Sequence, residues 1–212
     1  MRAVLVPPER VVRWADNAAL THGAVTPSVE DGALVLRSPD GFVARLMPPF
    51  DVAYDGPATA AGLAEAACSA VPAHWGVLLV RKGGFAVAAV SGHEVGAVKI
   101  GRRHVQGRSK AGGQSQQRFA RRRDNQARQA YEAAAGHAVR VLSGPVAALV
   151  CGGDRQAVEQ VLADPALRRL VPVRTGPWLA VPDPRRAVLD QAVRDAVAVR
   201  ARIEDGDRTG HV

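Results

Sequence analysis

Residues 75–100, "WGVLLVRKGGFAVAAVSGHEVGAVKI", constrain this chain more than any other stretch. Gly83-Gly84 and Ser91-Gly92-His93-Glu94 cut the run into three apolar segments of strand length. The connections are too short for anything but antiparallel neighbours. Downstream, the pattern changes to helix and strand in alternation. A long helix is expected from about Ser115 to Leu142, stopped by Ser143-Gly144-Pro145. "VAALVCGG" reads as a buried strand and "DRQAVEQVLAD" as a helix capped by Asp154. "LVPVRTG" and "WLAV" read as further strand, and "PRRAVLDQAVRDAVAVRARI" as a closing amphipathic helix. This order predicts an α/β fold, a mixed sheet with helices packed on it.

Upstream, residues 8–22 place apolar positions at helical spacing, with Pro8 in the first turn and Gly23 as C-terminal cap. "ALVLRSPDGFVARL" reads as a hairpin turning through Ser38-Pro39-Asp40-Gly41, and "MPPFDVAYDGP" as a linker. A helix is expected over roughly 58–71. The expected organisation is a small N-terminal α/β appendage over 1–56, a main domain over 57–205 and a tail over 206–212. The composition, 47% hydrophobic and 23% charged, is that of an ordinary globular protein. No apolar run approaches a membrane span and residues 1–20 lack the build of a signal peptide, so a cytoplasmic protein without a membrane partner is expected. Cys68 and Cys151 stand far apart with no CxxC or Cys/His cluster. They read as buried free thiols in a reducing compartment, and neither metal nor cofactor is expected.

The net charge of +8 becomes informative once located. Residues 101–123, "GRRHVQGRSKAGGQSQQRFARRR", hold Arg102, Arg103, Arg108, Lys110, Arg118, Arg121, Arg122 and Arg123 and no acid. The remaining 20 basic residues balance the 20 acidic ones, so the whole excess sits in one segment. Charge concentrated in this way reads as the footprint of a polyanion. Nucleic acid is the expected one, because each neutralised phosphate releases counterions. Only Lys82, Lys99 and Lys110 are lysines, which reads as codon bias first and as arginine chosen for phosphate second.

Inside that segment lies a loop, residues 107–117, with Gly112-Gly113-Gln114 at its centre. The glycines can take positive φ and bring bare backbone close to a ligand. Gln114 offers two donors and an acceptor without charge, which suits it poorly for proton abstraction. It is suited to orienting water while its backbone N–H stabilises a developing oxyanion, the chemistry of ester hydrolysis. The tripeptide alone is expected by chance about 0.1 times in a chain of this composition. Behind it, Phe119, Ala127, Ala130, Tyr131, Ala134, Ala138 and Leu142 form a core-facing helical stripe. Arg118, Arg121, Arg122, Asn125 and Arg128 form another face, over a helix N-terminus that itself welcomes anions.

"GGQSQQRFARRR" resembles the catalytic-domain signature of archaeal and eukaryotic class-1 peptide-chain release factors. The wider stretch from 75 to about 205 is similar to the Vms-like release-factor family, in particular its actinobacterial branch. The resemblance implies a release-factor middle-domain-like, ribonuclease H-like sheet. It also implies peptidyl-tRNA hydrolysis on the large ribosomal subunit, with rRNA and peptidyl-tRNA as partners and the protein monomeric off the ribosome. Gln114 would be the catalytic glutamine and Gly112 and Gly113 its hinge, with the arginines on phosphate. Eukaryotic Vms-type proteins show a loop resembling GGSQ, which leaves Gln116 and Gln117 as register alternatives. Nothing resembles a codon-reading domain, so rescue of stranded peptidyl-tRNA is expected rather than stop-codon termination.

Other readings compete. A metal-dependent nuclease would need carboxylates at its strand ends, and Glu94 is the only acid from Trp75 through Arg123. A metal-free endonuclease acting at the tRNA 3′ end, or a non-catalytic rRNA-binding factor, remains an alternative. The six histidines are scattered, "CGGD" at 151–154 reads as a strand-to-helix turn, and Trp14, Trp75 and Trp178 read as core.

Overall fold

A computed structural model describes the backbone of residues 2–102 and 115–204, and the side chains of 2–101 and 128–204. The chain divides into two compact units, Met1–Pro72 with Val193–Val212, and Ala73–Ala192. Both are mixed α/β, each built on a five-stranded sheet.

The first unit begins with β1 (Arg2–Val6), a 3-10 turn over Pro8–Arg10 and α1 (Val11–His22), closed at Gly23 as its sequence requires. The sheet continues through β2 (Thr26–Glu30), β3 (Ala33–Arg37) and β4 (Val43–Met47), and α2 (Ala60–Ser69) follows. Thr59 caps α2, accepting from the Gly62 N–H at 3.1 Å. The β3–β4 pair is the hairpin read from the sequence. The segment read as a linker is not one. Pro49, Phe50 and Tyr54 are buried, and the Tyr54 N–H donates to the Gly32 carbonyl at 2.8 Å. Leu63 and Ala67 of α2 share a core with Val6, Val11, Leu34, Leu46 and Tyr54. A boundary after residue 56 would cut through that core.

The second unit carries β5 (His74–Arg81), β6 (Gly84–Ser91), β7 (Glu94–Arg102), α3 (Ser115–Val141), β8 (Ala148–Gly153), α4 (Arg155–Leu162) and β9 (Arg174–Leu179). The sheet order is β7-β6-β5-β8-β9. The three-strand meander of 75–100 is antiparallel, and β8 and β9 add parallel strands beside β5. This is the mixed sheet that the sequence predicts, although residues 170–173 lie in a 3-10 turn and its exit rather than in β9. Asp154 caps α4, its carboxylate accepting from the Ala157 N–H at 3.2 Å. Ala157, Val158, Val161 and Leu162 of α4 and Ala134, Ala135 and Ala138 of α3 close one core with Leu78, Val80, Phe85, Val87 and Leu149.

The closing segment divides. α5 (Arg186–Ala196) is the expected helix, but Val199–Glu204 is β10, a strand running between β1 and β4 in the first sheet. Val199, Ala201 and Ile203 face the first unit's core while Arg200, Arg202 and Glu204 alternate with them. That two-residue period, and the neighbours on both sides, override the helical look of "VAVRARI". Of the thiols, Cys151 is buried, and burial pushes it up to about 12. Cys68, expected to be buried, is exposed on α2. Trp75 is buried and donates from Nε1 to the Gly92 carbonyl at 2.8 Å, while Trp14 and Trp178 pack against the two cores.

Two ion-paired carboxyls in the first unit make its stability acid-sensitive. Hydrogen bonds from Arg37 and Ser28 hold Glu30 down to about 2. Bonds from Ser38, from His22 at 2.8 Å and from the Phe42 N–H do the same for Asp40. Both groups are depressed in the folded state, so their contribution is present above ordinary carboxylate values and lost as pH falls toward 2. Unfolding of the wild type should steepen with acid across that window, and Glu30→Gln with Asp40→Asn should flatten the dependence. Urea titrations at pH 5 and pH 2.5 measure it. In the second unit, Gly153 takes φ +92, and a Cβ there would lie 2.2 Å from the Val80 carbonyl oxygen. Gly153→Ala should cost about 2 kcal/mol or more. Gly144→Ala, which meets nothing within 4 Å, should cost less than about 0.5 kcal/mol by the same urea titration.

Candidate functional site

The sequence concentrates its chemistry between the end of β7 and the first turns of α3. Gly112, Gly113, Gln114, Arg103, Arg108 and Lys110 lie outside the described residues. Arg102 ends β7, and Gln116, Gln117, Arg118, Arg121, Arg122 and Arg123 occupy backbone positions in the first turns of α3, their side chains outside the description. What the structure supplies is the pair of supports on either side.

The first support is β7, at the edge of the sheet and paired with β6. Phe85 of β6 stands opposite Gly101 of β7, and a Cβ on Gly101 would come within 2.2 Å of the Phe85 ring. The ring therefore needs bare backbone beneath it, and it is buried in that position. It also stacks on His137 of α3, with centroids 5.5 Å apart and planes at 26°. One aromatic ring thus ties β6, β7 and α3 together two residues before the undescribed segment begins.

The second support is α3 itself, 27 residues with no acid in its first turn. Its anchored half buries Ala134, Ala135 and Ala138, with Leu142 just beyond its end and Tyr131 half-buried beside them. Arg128, the first residue of α3 whose side chain is described, is exposed. The Arg169 guanidinium donates to the Leu142 carbonyl and so closes the helix's C-terminal end. Arg140 donates to His137 Nδ1 at 2.8 Å. Burial first, then the charges of Arg140 and Lys99, hold the His137 imidazole below its ordinary range, in the neutral form that can accept that bond. Fixed at its far end and along one face, α3 offers at its first turn the unsatisfied N–H groups and positive dipole end that attract an anion.

Beneath α3 the same elements line an open hollow of about 310 Å³ that sequence reasoning did not find. Its wall includes Arg81, Phe85, Gly101, Ala130, Tyr131 and Ala134. Ala130, Tyr131 and Ala134 were legible only as members of a core stripe, not as the wall of a hollow. Asp183, whose Oδ1 lies 3.6 Å from Arg81 Nε, sits where a Cβ on Gly83 would be. Among the described residues, no three His, Cys, Asp or Glu side chains form a metal-ligand group. No helix of the described residues is long and apolar enough to cross a membrane.

A family model described as Actinobacteria/chloroflexi VLRF1 release factor matches residues 73–202. No curated protein matches. Two solved structures resemble the chain at low identity. One is described as the crystal structure of an archaeal translation termination factor, aRF1; it is 14% identical with a TM-score of 0.42, and the match covers 92% of this chain and 63% of that one. The other, described as an archaeal protein, is 12% identical with a TM-score of 0.39, covering 90% and 62%. The chain thus spans less than two thirds of the length of each. The family match begins at the first residue of the second unit and covers the meander, the glutamine segment, α3 and most of β10, and on it the chain belongs to the actinobacterial and chloroflexi VLRF1 release-factor family.

Proposed function

We propose that this protein is a peptidyl-tRNA hydrolase of the ribosome-rescue kind, freeing nascent chains on the large ribosomal subunit through Gly112-Gly113-Gln114. The observation that carries the proposal is a coincidence of place. The tripeptide and the chain's whole charge excess fall within residues 101–123, bracketed by β7, the edge strand paired to β6, and α3, whose far half is seated in the core. Membership in a release-factor family supports RNA as that polyanion. On this reading the sheet of the second unit is a ribonuclease H-like, release-factor middle domain, and Arg102, Arg103, Arg108, Lys110, Arg118, Arg121, Arg122 and Arg123 contact rRNA or tRNA phosphate.

The chemistry is ester hydrolysis. Water adds to the carbonyl carbon joining the peptide to the tRNA 3′-terminal ribose; the bond from that carbon to the ribose oxygen breaks. The water's proton ends on the leaving ribose hydroxyl, and the peptide leaves as its carboxylic acid. Gln114 contributes its backbone N–H to the oxyanion and its side-chain amide to the attacking water, and Gly112 and Gly113 let the backbone approach. Gln116 and Gln117 are the residues to test next if Gln114 is silent.

Large subunits carrying labelled peptidyl-tRNA, incubated with wild type and with Gln114→Ala, test the proposal directly. Hydrolysis should fall by about 10² or more in the variant, which keeps the backbone N–H but loses the side-chain amide that orients the water, while co-sedimentation with the subunit is retained. The wild type should yield free peptide and intact tRNA. A tRNA shortened at its 3′ end would identify a nuclease instead, and no chemistry in either protein would identify a docking factor. Separately, Arg118→Glu with Arg121→Glu should weaken subunit binding and reduce its salt slope by about one unit for each phosphate that is no longer neutralised, measured by co-sedimentation across a salt series. An unchanged slope would remove RNA phosphate as the partner of these arginines.

A further inference from the structure

At the β7 edge of the second sheet, basic side chains from a strand and a helix meet. Lys99 of β7 stands opposite Val87 of β6, two residues before the pairing of Gly101 with Phe85, so alternation puts Lys99 on the sheet face that α3 covers. Val87 on that face shares a core with Ala134 and Ala138 of α3. His137 stacks on Phe85 with centroids 5.5 Å apart, and its Nδ1 accepts from the Arg140 guanidinium at 2.8 Å. A guanidinium only donates, so the neutral His137 carries its proton on Nε2 and keeps that donor for another partner. Burial first, then the charges of Arg140 and Lys99, hold this imidazole below its ordinary range, which puts both cations within electrostatic reach of the ring. No acid offsets them. Arg81, Arg174 and Arg186 of this unit each meet a carboxylate. Among the described residues neither Arg140 nor Lys99 does. β6 carries no acid. Glu132 is two turns from Arg140, about 12 Å along α3, and Glu94 is about 17 Å from Lys99 along β7.

From this arrangement we propose that Lys99, His137 and Arg140 form a binding site for one backbone phosphate of RNA. The proposal rests on the RNA reading above and adds to it a contact made by β7 and the anchored half of α3. A phosphate offers its oxygens to an ammonium, a guanidinium and an imidazole N–H together, each a donor and two of them charged. Membership in a release-factor family favours RNA over an acidic protein segment as the source of the anion. Anion, proton and Arg140 are linked at this site. The charged groups acting on His137 are Arg140 of its own helix and Lys99 of β7, while Phe85 of β6 brings an uncharged ring. A phosphate beside them offsets both cations and raises His137. A proton arriving on Nδ1 then ends the bond from Arg140 and releases that guanidinium to the anion. The phosphodiester keeps its charge throughout, so RNA binds more tightly as pH falls through the range in which His137 titrates.

Imidazole shifts of His137 in the ¹⁵N-labelled full chain, followed against pH, provide the test, with hexauridylate, inorganic phosphate and a hexaglutamate peptide as probes. Hexauridylate should raise the His137 pKa, inorganic phosphate should do so only at far higher concentration, and hexaglutamate should leave it in place. Lys99→Gln and Arg140→Gln, both at exposed positions, should each weaken hexauridylate binding severalfold. Combined, they should lower its salt slope by about 0.7, the single-strand value for one phosphate. Arg186→Gln removes an exposed cation already paired to Asp190 and should change neither quantity. Gln114→Ala should bind hexauridylate as the wild type does, so a silent glutamine would sink the hydrolase and leave this site standing. A wild type that binds no RNA would sink the site together with the RNA reading, whereas RNA binding with His137 unmoved would sink the site alone. Hexaglutamate raising His137 more than hexauridylate, inorganic phosphate binding as tightly as the RNA, or an equal loss in Arg186→Gln would each overturn the proposal.

Discussion

Where α3 meets the sheet of the second unit, the contact is made through alanines rather than large side chains. Ala134, Ala135 and Ala138 are all but inaccessible, and across from them Phe85 fills the space over the bare backbone of Gly101. Small residues let a helix and sheet approach closely, and a buried ring contributes about 2–3 kcal/mol of burial to the junction. The consequence reaches the candidate site. Residue 102 ends the edge strand paired to β6, and residue 115 opens the helix whose far half is seated in that core, so both belong to the second unit. Arg169 on the Leu142 carbonyl fixes the opposite end of α3, so its first turn is positioned by everything packed behind it.

The first unit reaches order by another route. Its sheet is completed by β10, a strand supplied by the end of the described chain and inserted between β1 and β4. Long-range pairing of this kind makes the unit cooperative, because neither neighbour of β10 can complete its ladder without it. Polar contacts at its turns add local definition. His22 stacks on Phe42 with centroids 4.0 Å apart while bonding Asp40, so the end of α1 and the β3–β4 turn are set against each other. The family match runs through Arg202 and includes most of β10, the strand on which this first sheet depends.

The elements that sequence made legible are those whose signal is local. The meander of 75–100 announced its turns, Asp154 announced the start of α4, Gly23 the end of α1, and α3 was bounded to within a residue by its stripe and by Ser143-Gly144-Pro145. What escaped was decided at long range. β10 looks helical because alanine and arginine favour helices, and only β1 and β4 on either side make its two-residue alternation count. The stretch around Phe50 reads as a linker from its prolines, yet Phe50 and Tyr54 are buried there, with Phe50 and Asp51 at φ 60 and 57. Of the candidate site, the glutamine and the arginines were read from composition and motif. The cavity was not, since it depends on which small residues of three strands and a helix end up facing one another.

The division of labour between charge and amide follows from electrostatics. A cationic side chain at the reacting centre would be drawn to the phosphates that surround any tRNA end, and it would sit in the wrong place for as long as they outnumber the ester. An uncharged amide has no such distraction, and its donors strengthen as water is excluded from around them. On the proposed function, eight cations within the same stretch and none in Gly-Gly-Gln would separate holding from reacting.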